Sequence, residues 1–329
     1  MSVLFFAHDP GGANAIAPLI LRFDNPLVFG KGPALKILPN AKPLPDNALT
    51  VLMPDFLITG TSAIDFTERH LWRDATGLSI PSMAILDAWV NYGVRFSRFS
   101  TREIHLFDGV CDYLPDYICV MDDLAKAEMH KEGVPYDRII ALGNPHFENV
   151  FLAAAQTSPT TLSKKRIVLF ASEPFEDVYR KGAEEAALRD LIKVAEQYDD
   201  VAIRIRKHPR EPEQKHAGHL NEHVEMDNIA DSLKSIEQSE IVVSVSSMLL
   251  IEAMFFGKKV ISYQPKSKDG KNDFILTRNG TLPFLQNYEE LNSHFKDVLN
   301  GCAGFAKNKI THQGIIDNIT SFIKERLNG

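Results

Sequence analysis

Short unbroken apolar runs alternate along this chain with stretches whose apolar residues recur every three or four positions. The first pattern suits strands buried on both faces, the second one-sided helices. Residues 3–7 form such a run, and Ile16, Leu19, Ile20 and Phe23 mark the helix that follows. Residues 27–29, 56–60, 82–86, 117–121 and 138–142 read as further strands, with helices predicted over 63–76 and 124–132. Residues 31–47, interrupted by prolines, read as irregular. Continuous apolar strands separated by helices predict a parallel sheet covered on both faces.

The alternation pauses at residues 156–164, rich in Ser, Thr and Pro, which read as a linker. It then restarts, with strands predicted at 166–171, 201–206, 224–226, 241–245 and 259–263 and helices at 183–197, 229–238 and 248–256. The expected fold class is therefore α/β, with two doubly wound, Rossmann-like domains. The expected divisions are an N-terminal domain over 1–155, a C-terminal domain over 165–310 and a closing amphipathic helix over 311–329, striped by Ile316, Ile319, Ile323 and Leu327. A chain of 329 residues with 44% hydrophobic content has ample material for two cores.

Composition narrows the class. A net charge of −7 and a pI near 5.9 give no general drive toward nucleic acid or anionic lipid, so no nucleic-acid partner is expected and any membrane contact would be peripheral. Cys111, Cys119 and Cys302 are too few and too scattered for a disulfide framework or a Cys-rich zinc site, which points to a reducing cytoplasm. The amino terminus has no signal-peptide pattern, and no run of about eighteen apolar residues occurs.

Candidate chemistry collects where predicted strands end. Arg204-Ile205-Arg206-Lys207-His208-Pro209 stops a strand at a His-Pro corner, and Val243-Ser244-Val245-Ser246-Ser247 stops another at a serine pair that opens a helix carrying Glu252. In open α/β sheets ligands settle beyond the carboxyl ends of strands, and the N–H groups of a helix start attract phosphate. Ser246, Ser247 and His208 are thus candidate phosphate contacts, with Pro209 fixing the direction of the imidazole and ordinary N-capping as the serines' alternative role. His208 is also a candidate general acid. Ser172 and Glu173, ending the strand at 166–171, are candidate base or ribose contacts, and Glu252 a candidate acceptor of ribose hydroxyls.

In the first half, His8-Asp9-Pro10-Gly11-Gly12-Ala13-Asn14 links a strand to a helix. Gly11 and Gly12 leave room for a ligand beside Asp9, the leading candidate for a catalytic base, and Asn14 lies within reach of the same place. Asp87, the second candidate, precedes Trp89, Asn91 and Tyr92, which suit the wall of a sugar site. There is neither a Walker loop nor a dinucleotide fingerprint. His216, His219 and His223 have helix-face spacing but lie in a charged stretch without cysteine, so a solvated face is expected and no metal. The lysines within 266–271 read as a loop.

Three segments carry a family resemblance. Gly143-Asn144-Pro145 with Phe147-Glu148, the stretch from Glu252-Ala253 through Gly257-Lys258 to Val260-Ile261, and the pairs His208-Pro209 and Ser246-Ser247 together resemble GT-B nucleotide-sugar enzymes. The last two pairs are similar to motifs of bacterial sialyltransferases and capsule enzymes. The resemblance implies two Rossmann-like domains facing a central cleft, and metal-independent transfer of a sugar from a nucleotide sugar to a surface glycan or glycoconjugate. It implies a CMP-linked nonulosonic acid as donor and no cofactor beyond that co-substrate. A UDP-sugar 2-epimerase or nucleotide-sugar hydrolase is the alternative, against which stands His8-Asp9-Pro10-Gly11-Gly12 where epimerases open with Gly-Thr-Arg-Pro-Glu. A non-catalytic nucleotide- or glycan-binding protein is the remaining one.

Overall fold

The chain is described by a computed structural model covering residues 2–157, 165–175, 180–265, 272, 274–302 and 313–328. Most of the expected linker, residues 158–164, and all of the lysine-bearing loop, residues 266–271, lie outside the described residues. Two compact units divide the chain: unit 1 comprises Met1–Asn149 with Thr311–Gly329, and unit 2 comprises Val150–Ile310.

Unit 1 is built on a parallel sheet of seven strands: β1 (Ser2–Ala7), β2 (Asn25–Gly30), β3 (Lys42–Pro43), β4 (Phe56–Thr59), β5 (Ser82–Ile85), β6 (Tyr117–Val120) and β7 (Ile139–Ala141). Their order is β3-β2-β1-β4-β5-β6-β7. Alternate residues of each strand serve opposite faces. Val3, Phe5 and Ala7 of β1 and Phe56 and Ile58 of β4 pack against α1 (Pro10–Ile20), through Ala13, Ile16, Leu19 and Ile20. The terminal helix, Ile315–Asn328, adds Ile315, Ile316, Ile319 and Ile323 to this same core, so its apolar stripe is buried in unit 1. On the opposite face the buried Trp72 donates its indole N–H to Thr59 at 2.8 Å.

Two glycines decide how α1 meets the sheet. A Cβ on Gly60 would lie 2.6 Å from the Cα of Gly12, closer than real Cβ contacts come, so helix and strand end touch backbone to backbone. Gly60→Ala is expected to cost about 1–3 kcal/mol as overpacking, measured by urea unfolding. A loss below roughly 0.5 kcal/mol would mean that α1 moves aside without strain.

Unit 2 has a five-stranded parallel sheet of β8 (Arg166–Ala171), β9 (Val201–Arg206), β10 (Val224–Met226), β11 (Ile241–Ser244) and β12 (Lys259–Ser262), in the order β10-β9-β8-β11-β12. Val168, Phe170, Ile203, Ile205 and Val243 bury one face together with Leu188 and Leu191 and with Leu291 and Phe295. Leu188 and Leu191 belong to the helix Ala183–Ala195, Leu291 and Phe295 to Tyr288–Leu299.

The sequence reading missed that last helix, although Asn287 caps it by accepting the Glu290 N–H at 3.0 Å. It also missed β3 and the helices Ala48–Leu52 and Pro145–Gln156. Glu148, on the latter, accepts the N–H groups of Gly314 and Ile316 at 2.7 Å each and so holds the start of the terminal helix. The Gly143-to-Glu148 segment therefore has a structural task within unit 1. Among the described residues no helix is long and apolar enough to cross a membrane.

Candidate functional site

Each unit has one place where consecutive connections leave the sheet in opposite directions, the usual ligand position of an open α/β sheet. In unit 1 it falls between β1 and β4, in unit 2 between β8 and β11.

At the unit 1 position, Asp9 stands at the N-cap of α1 with extended backbone, and Pro10 begins the helix. The Asp9 side chain turns away from the helix. One carboxylate oxygen accepts the Ala63 N–H at 2.9 Å, and the other receives His8 Nδ1 at 2.8 Å. Asp9, expected as a catalytic base, is only 7% exposed, and both of its oxygens accept hydrogen bonds from its neighbours. Because a carboxylate only accepts, Nδ1 of His8 is the donor and the Nε2 edge faces outward. The bond to Asp9 raises the His8 pKa against the opposing effect of burial, with Asp65 adding to the rise.

Beside this pair lie groups the sequence reading passed over. Asp65 accepts Lys31 Nζ at 2.5 Å. Glu68, buried on the helix Thr67–Gly77, accepts the His8 backbone N–H at 3.0 Å and the Ser62 hydroxyl at 2.5 Å, and its second oxygen has no partner among the described residues. Burial pushes its carboxyl up to about 7. The signal was legible: Glu68 precedes the buried Leu71 and Trp72 by three and four positions, which sets it on the apolar face.

Asp87 is half-buried and accepts Arg95 Nη1 at 2.7 Å, the same nitrogen reaching Thr61 Oγ1 at 2.9 Å. A Cβ on Gly11 would fall 1.8 Å from an Asp87 oxygen, so the space left by Gly11 holds Asp87. Gly12, the other glycine expected to leave room for a ligand, is in contact with Gly60. Asn14 is half-buried one turn further along α1. Trp89 stacks on Phe147 at 5.7 Å and donates to Asp122 at 2.8 Å, and Tyr92, 2% exposed, donates to Glu128 at 2.8 Å. These residues, expected as a sugar wall, pack against neighbours in unit 1, with Asn91 in the left-handed region at φ 57° turning the chain between the two aromatics.

At the unit 2 position the carboxylate of Glu173 occupies the strand ends. It accepts the Ser244 hydroxyl at 2.8 Å, the Ser246 N–H at 2.7 Å and the Ser246 hydroxyl at 2.9 Å. Burial raises its pKa while these bonds oppose the rise. Ser247 accepts the Leu249 N–H at 3.3 Å, a capping contact. The serine pair, expected as phosphate contacts, makes internal hydrogen bonds here. Glu252, 6% exposed on the seven-residue helix Leu249–Phe255, is buried rather than presented.

His208 is half-buried at the end of β9 and accepts the Arg210 N–H at Nδ1, 3.1 Å away. In the neutral ring this leaves the proton on Nε2, as a donor. Pro209 beside it is exposed.

Ser172 was expected at the same strand ends. It is 4% exposed, and its hydroxyl lies 2.8 Å from Glu184, 2.8 Å from Glu211 and 3.0 Å from His216 Nε2. His216, expected on a solvated helix face, is wholly buried, and only a short 3-10 turn, Ala217–His219, follows it. Burial lowers the His216 pKa. Oxygens of Glu184 and Glu211 and a nitrogen of His216 lie within 4.8 Å of one another, a spacing a metal ion would accept. Lys215 Nζ already contacts both carboxylates, at 2.8 and 2.6 Å, and supplies the positive charge such a cluster needs.

No protein-family model and no curated protein sequence matches the chain. Solved structures do. The UDP-GlcNAc 2-epimerase of Methanocaldococcus jannaschii, in complex with UDP-GlcNAc and UDP, superposes with a TM-score of 0.72 at 14% identity, over 99% of this chain and 100% of that one. The UDP-GlcNAc 2-epimerase of Neisseria meningitidis, bound to UDP-GlcNAc, gives 0.69 at 16% identity, over 99% and 100%. The fold is GT-B-like. A glycotransferase of kitacinnamycin shares it at a TM-score of 0.59 and 14% identity, over 99% of both chains. The GT-B expectation holds at the level of fold, and the sialyltransferase and capsule-enzyme likeness has no counterpart among these structures.

Proposed function

We propose that this protein is an enzyme acting on a nucleotide sugar, and that its reaction is inversion of a sugar carbon in a UDP-sugar, as in a UDP-sugar 2-epimerase. The observation that carries this is the end-to-end likeness to UDP-GlcNAc 2-epimerases, with both chains covered almost completely. It reverses the order of the two readings drawn from the sequence. Inverting a carbon that bears hydrogen requires groups that remove and return a proton, and unit 1 gathers His8, Asp9, Glu68 and the Asp87–Arg95 pair at its ligand position. Nucleotide recognition is assigned to unit 2, where His208 Nε2 is the donor for a phosphate oxygen.

Glycosyl transfer is the second reading, favoured by the likeness to the kitacinnamycin glycotransferase and by the His8-Asp9-Pro10-Gly11-Gly12 opening. Incubation with UDP-, CMP- and GDP-sugars, with and without acceptor glycans, separates the two in one proton NMR series. Epimerisation gives a second anomeric signal without acceptor and without net loss of nucleotide sugar, whereas transfer requires the acceptor and liberates nucleotide. If no sugar nucleotide changes, both readings fail.

Phosphate recognition by His208 has its own test. Replacing it with alanine is expected to weaken UDP binding roughly 10- to 100-fold, the scale of one hydrogen bond to a charged group, with the fold retained by circular dichroism. Calorimetry showing unchanged affinity would remove His208 from the nucleotide site.

A further inference from the structure

The Asp9 carboxylate is committed on both oxygens to Ala63 and His8, yet the arrangement it creates is that of an oriented imidazole. The chain of contacts runs from a fixed backbone N–H, through a carboxylate 7% exposed, to Nδ1 of His8. The His8 backbone is held separately by Glu68, so the residue is anchored through both its backbone N–H and its ring Nδ1. Its side chain is 20% exposed. Among the described residues no acceptor lies within hydrogen-bond range of Nε2: the nearest carboxylate, Asp65, is 3.9 Å away and carries Lys31 on the same oxygen. Gly32, at φ 55°, flanks this edge, and a Cβ there would stand 2.9 Å from Nε2. The absent side chain keeps that nitrogen uncovered.

We propose that His8 is the catalytic residue of unit 1 that exchanges a proton with the sugar, through Nε2, and that Asp9 is its positioning residue. This rests on the nucleotide-sugar reading above. The step is a proton transfer alone: a C–H or O–H bond of the ligand breaks, an N–H bond forms at Nε2, and the bonding pair stays with the ligand. The proton is later returned from the imidazolium. Asp9 stabilises that imidazolium and fixes the tautomer, so neutral His8 presents a lone pair at Nε2. The charged groups facing the ring are Asp9, Asp65 and Glu68, with Lys31 opposing them across Asp65. Together they raise its pKa, and activity that needs neutral His8 should fall as pH drops through a midpoint above 6.5.

The test is a pH profile of turnover of the sugar nucleotide found active in the panel, for wild type, His8→Gln and Asp9→Asn, with UDP affinity measured in parallel. His8→Gln is expected to lower kcat by about 10²- to 10⁴-fold with UDP affinity unchanged. Asp9→Asn should keep part of the activity and move the acidic limb to lower pH, a shift that a merely structural role would not cause. NMR titration of the His8 ring follows the same midpoint without turnover, and covers the case in which Asp9→Asn folds poorly. Wild-type kcat in His8→Gln, or a His8 midpoint at or below 6.5, overturns the assignment while leaving the nucleotide-sugar reading intact. No turnover in the wild type overturns that reading first, and the catalytic role of His8 with it.

Discussion

Arg69→Met is expected to destabilise the protein by about 3–5 kcal/mol, the scale seen when a buried ionic hydrogen-bond network loses its central group. Arg69 is 1% exposed, and its guanidinium donates to the carbonyls of Arg95 at 2.8 Å, Phe99 at 2.8 Å and Val94 at 3.3 Å. It also lies over the Phe66 ring, 4.1 Å from the centroid. Burial draws its pKa down to about 10, so it remains charged at neutral pH. Methionine fills similar space but removes the donor of the Arg95 carbonyl and the charged donor of the Phe99 and Val94 carbonyls, to which only Ser97 then donates, and a buried carbonyl that loses its donor costs about 1–3 kcal/mol less whatever water recovers. That loop carries Arg95, the partner of Asp87, so the loss should disturb the unit 1 ligand position as well. Lysine should rescue little, because a single ammonium cannot serve the planar three-way arrangement. A loss below roughly 1 kcal/mol on urea unfolding would show that the loop is held by other means.

Glu68 makes the second large effect, with a defined sign. Its folded-state carboxyl is raised to about 7 from an ordinary 4.5, so between these values the folded protein binds more protons than the unfolded chain. Its contribution to stability is fully present below about pH 4.5 and is lost as pH rises through 7. At about 1.4 kcal/mol per unit, the loss has an upper bound of roughly 3 kcal/mol by pH 8. Glu68→Gln should remove this slope, leaving a flatter stability profile between pH 5 and pH 8 than the wild type shows. Parallel slopes for the two proteins would place the ionisation of Glu68 in its ordinary range.

Most of the fold was legible because its strands are buried on both faces and read as uninterrupted apolar runs, as at residues 3–7, 56–59 and 241–244. What escaped had a physical reason in each case. β3 is two residues long, Lys42 and Pro43, and has no apolar pattern to read. Pro145–Gln156 begins at a proline that belongs to the Gly143-Asn144-Pro145 motif and is also the favoured first residue of a helix. The site was harder, because a side chain's partners come from elsewhere in the chain. Asp9 and Ser246 were rightly placed at strand ends, but nothing local shows that Ala63 engages one or that Glu173 engages the other. His216 lies in a charged stretch and is buried because Ser172, Glu184 and Glu211 surround it.

The same distinction governs function. Strand ends mark the usual ligand position of each sheet, whereas the proposed reaction depends on which hydrogen is moved, and that is open to direct measurement. Incubating the protein with UDP-GlcNAc in D2O, followed by NMR and mass analysis of the recovered nucleotide sugar, should show one deuterium at C2, growing with enzyme concentration and together with the epimer. Unlabelled UDP-GlcNAc after prolonged incubation, whether intact or cleaved to free UDP, would contradict the account.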